Sequence, residues 1–142
     1  LAGLRLGLLA GNPKWLHEFD KLRLPYNINT LTQASAEFAL KHVEILNQQT
    51  QKIREDRETL FNELKQVDGL QVFPSSANFI LVRVAQGQAD DIFNKLKQQG
   101  VLIKNLNPAG GLLKDCLRIT VGTPQENKKF LDAFRAIYLQ AK

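Results

Sequence analysis

The sequence predicts an α+β fold, in which a long helix is followed by a small sheet with helices packed on one face. Three observations predict it. Across residues 39–67, apolar side chains recur at alternating steps of four and three, which is helical periodicity. From residue 70 onward the pattern reads strand, strand, helix, strand, strand, helix, an order typical of α+β layers. Apolar residues make up 44% of the 142 residues, which is enough to build a globular core.

Residues 1–30 are predicted to form a basic turn, a short strand and a short helix. Arg5 lies among glycines and precedes an apolar run at residues 8–10, a pattern that predicts an active-site turn leading into a buried strand. Asn12 is a favourable N-cap, and Pro13 suits the first helical position, where its missing N–H costs nothing. The helix that they begin is predicted to end near Arg23, before Pro25.

A single long helix is predicted over residues 31–67. Thr30 and Gln33 have the spacing of a capping box at its start. The first third is apolar almost all round, whereas residues 47–58 are nearly all polar. Such a helix packs at its ends and is solvated between them, so it is predicted to bridge two domains. A coiled coil is the alternative, which the polar residues Thr50 and Arg57 in the apolar stripe disfavour.

Residues 68–142 are predicted to form the small domain. Its elements are strands at 70–73 and 78–84, a helix at 89–99, strands at 101–104 and 116–121, and a final helix. The start of the final helix is well defined, because Thr123 and Glu126 have the capping-box spacing and Pro124 follows the cap. Along the last strand, Leu117, Ile119 and Val121 share one face and Arg118 belongs to the other.

The composition argues against several classes of partner. The net charge is +5, from 19 basic and 14 acidic residues, but the signs alternate along segments such as 52–58. Interleaved charges are typical of a solvated helix face, so no nucleic acid partner is expected. No apolar run approaches the about 20 residues of a membrane span, so no membrane partner is expected.

The cysteine and histidine content narrows the possible sites and the compartment. The single cysteine, Cys116, excludes an internal disulfide and fits a reducing compartment, so a cytoplasmic location is expected. His17 and His42 have no neighbours at ligand-like spacing, and clusters of Asp and Glu with such spacing are absent. No metal site is therefore predicted.

Three basic residues could carry chemistry. Arg118 lies in the middle of a strand, where it fits an exposed sheet face, a structural ion pair, or a planar fork aimed at a carboxylate or phosphate. Lys104 is predicted to end the preceding strand, where by itself it is typical of a charged strand end. Arg5 is either a surface residue at a strand start or part of an active-site turn. No nucleophile–base pair and no phosphate-binding loop is recognisable, so no catalytic residue is predicted.

Four segments carry a resemblance to a known family. They are LAGLRLG at 1–7, PYNIN at 25–29, SANFILVR at 76–83 and CLRITVGT at 116–123. With them, the chain resembles the C-terminal part of the histidinol-phosphate aminotransferase family, which belongs to the fold-type I pyridoxal-phosphate enzymes. The resemblance implies an α/β parent enzyme in which residues 1–30 are a remnant of the large cofactor-binding domain. Residues 31–67 would be the linking helix and residues 68–142 the small C-terminal domain.

The resemblance also implies an activity. The parent enzyme would move an amino group between histidinol phosphate and 2-oxoglutarate through pyridoxal 5'-phosphate, as a homodimer acting on small anionic substrates. The lysine that forms the Schiff base in the family would fall before Leu1, so the chain alone is expected to be inactive. Two alternatives stay open. One is another aminotransferase or a phosphate-specific decarboxylase on the same scaffold, and the other is a non-catalytic anion-binding domain.

The resemblance assigns roles to the three basic residues. Arg5 matches the arginine that binds the cofactor phosphate, and Arg118 matches the one that binds the carboxylate or phosphate of the substrate. Lys104 stands where many members of the family have an arginine that helps to hold the phosphate of histidinol phosphate. Lysine keeps the positive charge but lacks the bidentate fork of arginine.

Overall fold

The computed structural model describes residues 2–140 and, of these, the side chains of residues 3–139. Contacts divide the chain into two compact units, Leu1–Gln48 and Gln49–Lys142. The first unit contains helices α1 (Pro13–Asp20) and α2 (Thr30–Lys41), and helix α3 (Val43–Lys65) begins in it and ends in the second unit. The predicted domain boundaries at residues 30 and 67 stay predictions.

The long helix predicted over residues 31–67 is interrupted at His42. The backbone of His42 leaves the helical region, with φ −122° and ψ 39°, and its N–H donates to the carbonyl of Ala39. Its ring packs against Phe38, with ring centroids 4.6 Å apart. The interruption has no local signal, since residues 38–46 contain neither glycine nor proline. The prediction of one continuous helix is therefore wrong at this position.

Side-chain caps begin both helices of the first unit. The Asn12 side chain accepts a hydrogen bond from Lys14 N–H, and Pro13 is the first residue of α1, as predicted. The cap of α2 is Asn29, one residue before the predicted Thr30, and its side chain accepts from Thr32 N–H at 2.9 Å. Asparagine is at least as good an N-cap as threonine, which accounts for the shift.

The buried strand predicted at residues 8–10 does not form. Leu8 is 94% exposed and Leu9 is 68% exposed, and the backbone there is irregular. A strand needs a neighbour that takes its backbone hydrogen bonds. None of the strands in the described part of the chain pairs with this segment.

The second unit is built on a four-stranded antiparallel sheet in the order β1-β2-β4-β3. Its strands are β1 (Gln71–Val72), β2 (Phe79–Arg83), β3 (Lys104–Asn105) and β4 (Cys116–Thr120). Ile80 lies opposite Ile119 and Val82 opposite Leu117, so these four buried side chains share one face.

Helices α3, α4 (Ala89–Gln98) and α5 (Pro124–Gln140) contribute most of the rest of the core, and the segments that flank the strands and helices add Val67, Val84, Val101 and Val121. The side chains that they bury in the same cluster include Leu60, Leu64, Ile92, Leu96, Phe134 and Tyr138. The predicted α+β fold, with helices packed on one face of a small sheet, is confirmed.

The strand that carries Lys104 begins at that residue, whereas the sequence predicted that it ends there. The N–H of Val101 donates to the carbonyl of Leu96 at 2.9 Å, so the residues just after α4 still close the helix. The chain is free to join the sheet only at Lys104.

The start of α5 follows the prediction closely. Thr123 N–H and the Thr123 hydroxyl both donate to Glu126 Oε2, at 2.8 and 2.9 Å, and Pro124 is the first helical residue. Within residues 2–140, none of the helices has the length and apolar content that a membrane crossing requires.

Candidate anion-binding site

One face of the sheet is not covered by the helices of the core. Because side chains alternate along a strand, the residues opposite the core face share this second face. It is formed by Phe79, Leu81 and Arg83 of β2, by Cys116, Arg118 and Thr120 of β4, and by Lys104 of β3. We call this surface the open face. It carries three of the cations of the second unit, Arg83, Arg118 and Lys104.

Arg118 and Lys104 lie directly opposite each other. They are register partners in the antiparallel pair of β3 and β4, so both side chains leave the sheet on the open face. Lys104 is exposed and Arg118 is half-buried. Like charges directly opposite each other destabilise a sheet, so this pair favours an anion that neutralises both.

The guanidinium of Arg118 has a buried donor without an acceptor. Its central carbon lies 5.1 Å from the centroid of the Phe79 ring, a cation–π distance. Its Nε atom is buried and has no hydrogen-bond partner in the described part of the chain. An unsatisfied buried donor costs about 1–3 kcal/mol, more when it is charged. Arg118 as a whole is only half-buried, so an anion on the open face can approach the exposed part of its side chain.

Arg83 lies on the same face, but its donors are already used. Its Nη2 donates to the carbonyl of Leu112 at 2.7 Å, its Nε to that of Lys114 at 3.3 Å, and its Nη1 to Gln71 Oε1 at 3.1 Å. These bonds attach the segment that precedes β4 to the sheet. Arg83 is therefore a structural arginine, and Arg118 is the better candidate for an anion.

Arg5 belongs to the first unit and lies in a strained turn. It follows a short 3₁₀ turn, Ala2–Leu4, and its φ of 53° lies in the left-handed region that residues other than glycine rarely adopt. Its side chain is exposed and makes no hydrogen bond or ion pair with another described residue. Such strain is concentrated at functional sites. A guanidinium in this setting suits a phosphate.

Four polar residues that hold the segment between β3 and β4 in place are not among those predicted from the sequence. Asp90, Asn105, Asn107 and Asp115 are linked through hydrogen bonds of 2.6–2.9 Å. The available signal was the closeness of Asn105 and Asn107 in a segment rich in turn residues. Their partner Asp90 is more than ten residues away, so no local pattern predicts the network.

The chain is similar to a known protein family and to several of its members. The family model described as aminotransferase class I and II matches residues 1–134. Histidinol-phosphate aminotransferase 2 of Nitrosococcus oceani is 57% identical over 136 residues, which are 96% of this chain. The same match covers 38% of the Nitrosococcus protein, so the chain spans well under half the length of that curated relative.

Solved structures resemble this chain as well. Histidinol-phosphate aminotransferase from Sinorhizobium meliloti, in complex with pyridoxal-5'-phosphate, is 25% identical, with a TM-score of 0.77 over 92% of this chain and 35% of that one. L-threonine-O-3-phosphate decarboxylase from Porphyromonas gingivalis is also 25% identical, with a TM-score of 0.77 over 92% of this chain and 40% of that one.

Proposed function

Since this chain belongs to the aminotransferase class I and II family, we propose that it is the C-terminal portion of a pyridoxal-phosphate-dependent aminotransferase. Its substrates are histidinol phosphate and 2-oxoglutarate, which places the enzyme in histidine biosynthesis. The identity of 57% to a histidinol-phosphate aminotransferase supports this choice within the family.

The observation that carries the proposal is the pair of cations on the open face, half-buried Arg118 directly opposite exposed Lys104. Both proposed substrates are anions, one through a phosphate and the other through two carboxylates. A guanidinium fork binds either group in a planar, bidentate manner. Lys104, directly opposite, adds a second positive charge that suits the dianionic phosphate.

Arg5 is the residue of this chain that we assign to the cofactor. Its exposed guanidinium, in a left-handed turn and without a partner among the described residues, fits the phosphate of pyridoxal 5'-phosphate. When bound, the cofactor supplies the electron sink that stabilises negative charge at the substrate carbon. The residues of this chain hold anionic groups in place, and we assign them no proton transfer.

The wider organisation follows from the same assignment. We propose that residues 1–30 belong to the large cofactor-binding domain, that residues 31–67 link the domains, and that residues 68–142 form the small domain. The enzyme is a homodimer, in keeping with the family that the chain resembles. A cytoplasmic location is supported by the single cysteine, Cys116, which is buried and free.

A phosphate-specific decarboxylase is the second candidate. The structural similarity to L-threonine-O-3-phosphate decarboxylase favours it, since that protein has the same TM-score as the Sinorhizobium aminotransferase. Both reactions use a phosphate-bearing substrate, so the open face suits either. The two differ in product, because decarboxylation releases carbon dioxide and transamination converts 2-oxoglutarate to glutamate.

The full-length enzyme distinguishes these functions. With histidinol phosphate and 2-oxoglutarate we expect glutamate to form, and with L-threonine O-3-phosphate we expect no release of carbon dioxide. The opposite pattern would replace the proposal with the decarboxylase.

The site assignment is tested by comparing Arg118→Ala with Lys104→Ala in the same assay. Loss of a desolvated charge partner costs about 2–5 kcal/mol, so Arg118→Ala should lower kcat/KM at least about thirtyfold with both substrates. Lys104 is exposed, so Lys104→Ala should remove only about 1 kcal/mol of the free energy that stabilises the transition state. Near-normal kinetics for Arg118→Ala with either substrate would remove this assignment.

A further inference from the structure

We propose that Asp90 is a positioning residue that, through Asn105 and Asn107, holds the strand carrying Lys104 in register beside Arg118. The inference deepens the proposed function and rests on it. Asp90 does not touch the proposed substrate. It acts through β3, whose first residue is Lys104.

The Asp90 carboxylate accepts hydrogen bonds from two side-chain amides at the end of β3 and just after it. Asn105 Nδ2 donates to Asp90 Oδ1 at 2.6 Å, and Asn107 Nδ2 donates to Asp90 Oδ2 at 2.9 Å. Asp90 lies in the first turn of α4, so these bonds attach the end of β3 to a helix of the core. A carboxylate is an acceptor at both oxygens, which matches two NH₂ donors.

The network continues from Asn107 into the start of β4. Asn105 Oδ1 accepts from Asn107 N–H, and Asn107 Oδ1 accepts from Asp115 N–H, both at 2.9 Å. Asp115 is 5% exposed and has a left-handed φ of 57°, and its Oδ1 accepts from Gly87 N–H at 2.8 Å. These bonds join the entry to α4, the end of β3 and the start of β4.

The strand that carries Lys104 needs this support because the sheet alone holds it weakly. β3 has two residues, lies at the edge of the sheet and pairs only with β4. The segment after it turns through Gly110, whose φ of 65° and ψ of −163° suit glycine alone. Short edge strands followed by such turns open readily. The Asp90 bonds are therefore an anchor outside the sheet that fixes the backbone after Lys104, while Ile103 packs against the core before it.

The test compares Asp90→Asn with Asp91→Asn in the full-length enzyme. Asparagine at position 90 offers one acceptor and one donor, so one of the two amide bonds is lost. Asp91 is the matched control, since the same substitution removes the same charge from the same helical turn. Its carboxylate pairs with Lys95 at 2.7 Å and, among the described residues, makes no bond to the segment between β3 and β4.

Two measurements are expected to change together in Asp90→Asn. Hydrogen exchange at residues 104–106 should become about tenfold faster. The KM for histidinol phosphate should rise about twofold to fivefold, with kcat changed less than about twofold, because the effect passes through Lys104 and cannot exceed the about 1 kcal/mol expected for loss of that side chain. Asp91→Asn should leave both measurements at the wild-type values.

A double variant separates positioning from a general structural effect. If Asp90 acts through Lys104, then Asp90→Asn should add no further rise in KM when Lys104 is already alanine. A further rise in KM in the double variant would overturn the inference. So would unchanged hydrogen exchange at residues 104–106 in Asp90→Asn, or faster exchange there with an unchanged KM. A wild-type enzyme that does not convert histidinol phosphate would instead reject the proposed function.

Discussion

At the scale of single residues, the partners of each cation decide its role. Arg83 and Arg118 have the same chemistry and lie on the same face of adjacent strands. Arg83 donates to two carbonyls and one side-chain amide, whereas the Nε of Arg118 is buried without an acceptor among the described residues. The first arginine therefore stabilises the fold, and the second is the one that we propose binds the ligand.

The aromatic ring beside each arginine allows a matched test of this difference. Arg118 stacks on Phe79 at 5.1 Å, and Arg83 stacks on Phe73 at 5.4 Å. Loss of a cation–π contact costs about 0.5–2 kcal/mol, so Phe79→Leu should raise the KM for histidinol phosphate about twofold to thirtyfold. Phe73→Leu should change it less than about twofold, because Arg83 keeps its three acceptors. If steady-state kinetics showed equal rises in KM for the two variants, the assignment of the ligand to Arg118 and not to Arg83 would be wrong.

At the scale of elements, helix starts follow local sequence and helix interruptions do not. Asn12 with Pro13 and Thr123 with Glu126 begin helices where their residue types predict. The break at His42 occurs without glycine or proline nearby. A cap is made by hydrogen bonds within a few residues, so its signal is local, whereas a break can depend on packing.

The capping box of α5 should make stability depend on pH. The hydrogen bond from Thr123 N–H, together with that from the Thr123 hydroxyl, lowers the pKa of Glu126 below its ordinary 4.5. A lowered folded-state pKa contributes stability that is present above 4.5 and is lost as the pH falls through the folded value. Urea unfolding should therefore show Glu126→Gln less stable than wild type at pH 7, with a smaller difference near pH 3.

The cause of this pH dependence is tested by removing the threonine. Thr123→Ala should cost about 1 kcal/mol as a lost N-cap. In that background, the destabilisation caused by Glu126→Gln should vary less with pH, because the hydroxyl no longer donates to the carboxylate. A destabilisation that does not vary with pH in either background would show that the cap does not act through the charge.

At the scale of the whole molecule, the two units differ in how much core each contains. The second unit buries an apolar cluster drawn from its sheet and three helices. In the first unit, Ala36 is the one buried side chain among those described. Large apolar residues there are exposed, including Leu8, Leu22, Leu24, Tyr26 and Leu31. Exposed apolar side chains in this number are typical of a surface that contacts other protein.

Hydrogen exchange on the 142-residue chain should reflect this difference. We expect the slowest amides in β2, β4 and α5, whose side chains form the core. Residues 6–10 should exchange at rates close to those of an unfolded peptide, because no described strand pairs with them. Slow exchange at residues 6–10 in a monomer would contradict the description of the first unit.

The sequence by itself determined the fold class and the face on which Arg118 lies. Alternation along residues 116–121 separates Leu117 and Ile119 from Arg118, and the helical periods and caps locate α4 and α5. These signals depend on residues that are near each other in the chain. Hydrogen bonds and side-chain directions within one element are set by the backbone geometry of that element.

Only the tertiary structure decided how the parts of the candidate site meet. The tertiary structure places Lys104 opposite Arg118 and gives Arg83 its hydrogen-bond acceptors. Among the described residues, it leaves the Nε of Arg118 without an acceptor and residues 8–10 without a partner strand. The register between β3 and β4 depends on the loop that joins them and on Asp90, which attaches that loop to helix α4. Such contacts join residues that are distant in the chain, so their free energies depend on the whole fold and no local pattern encodes them.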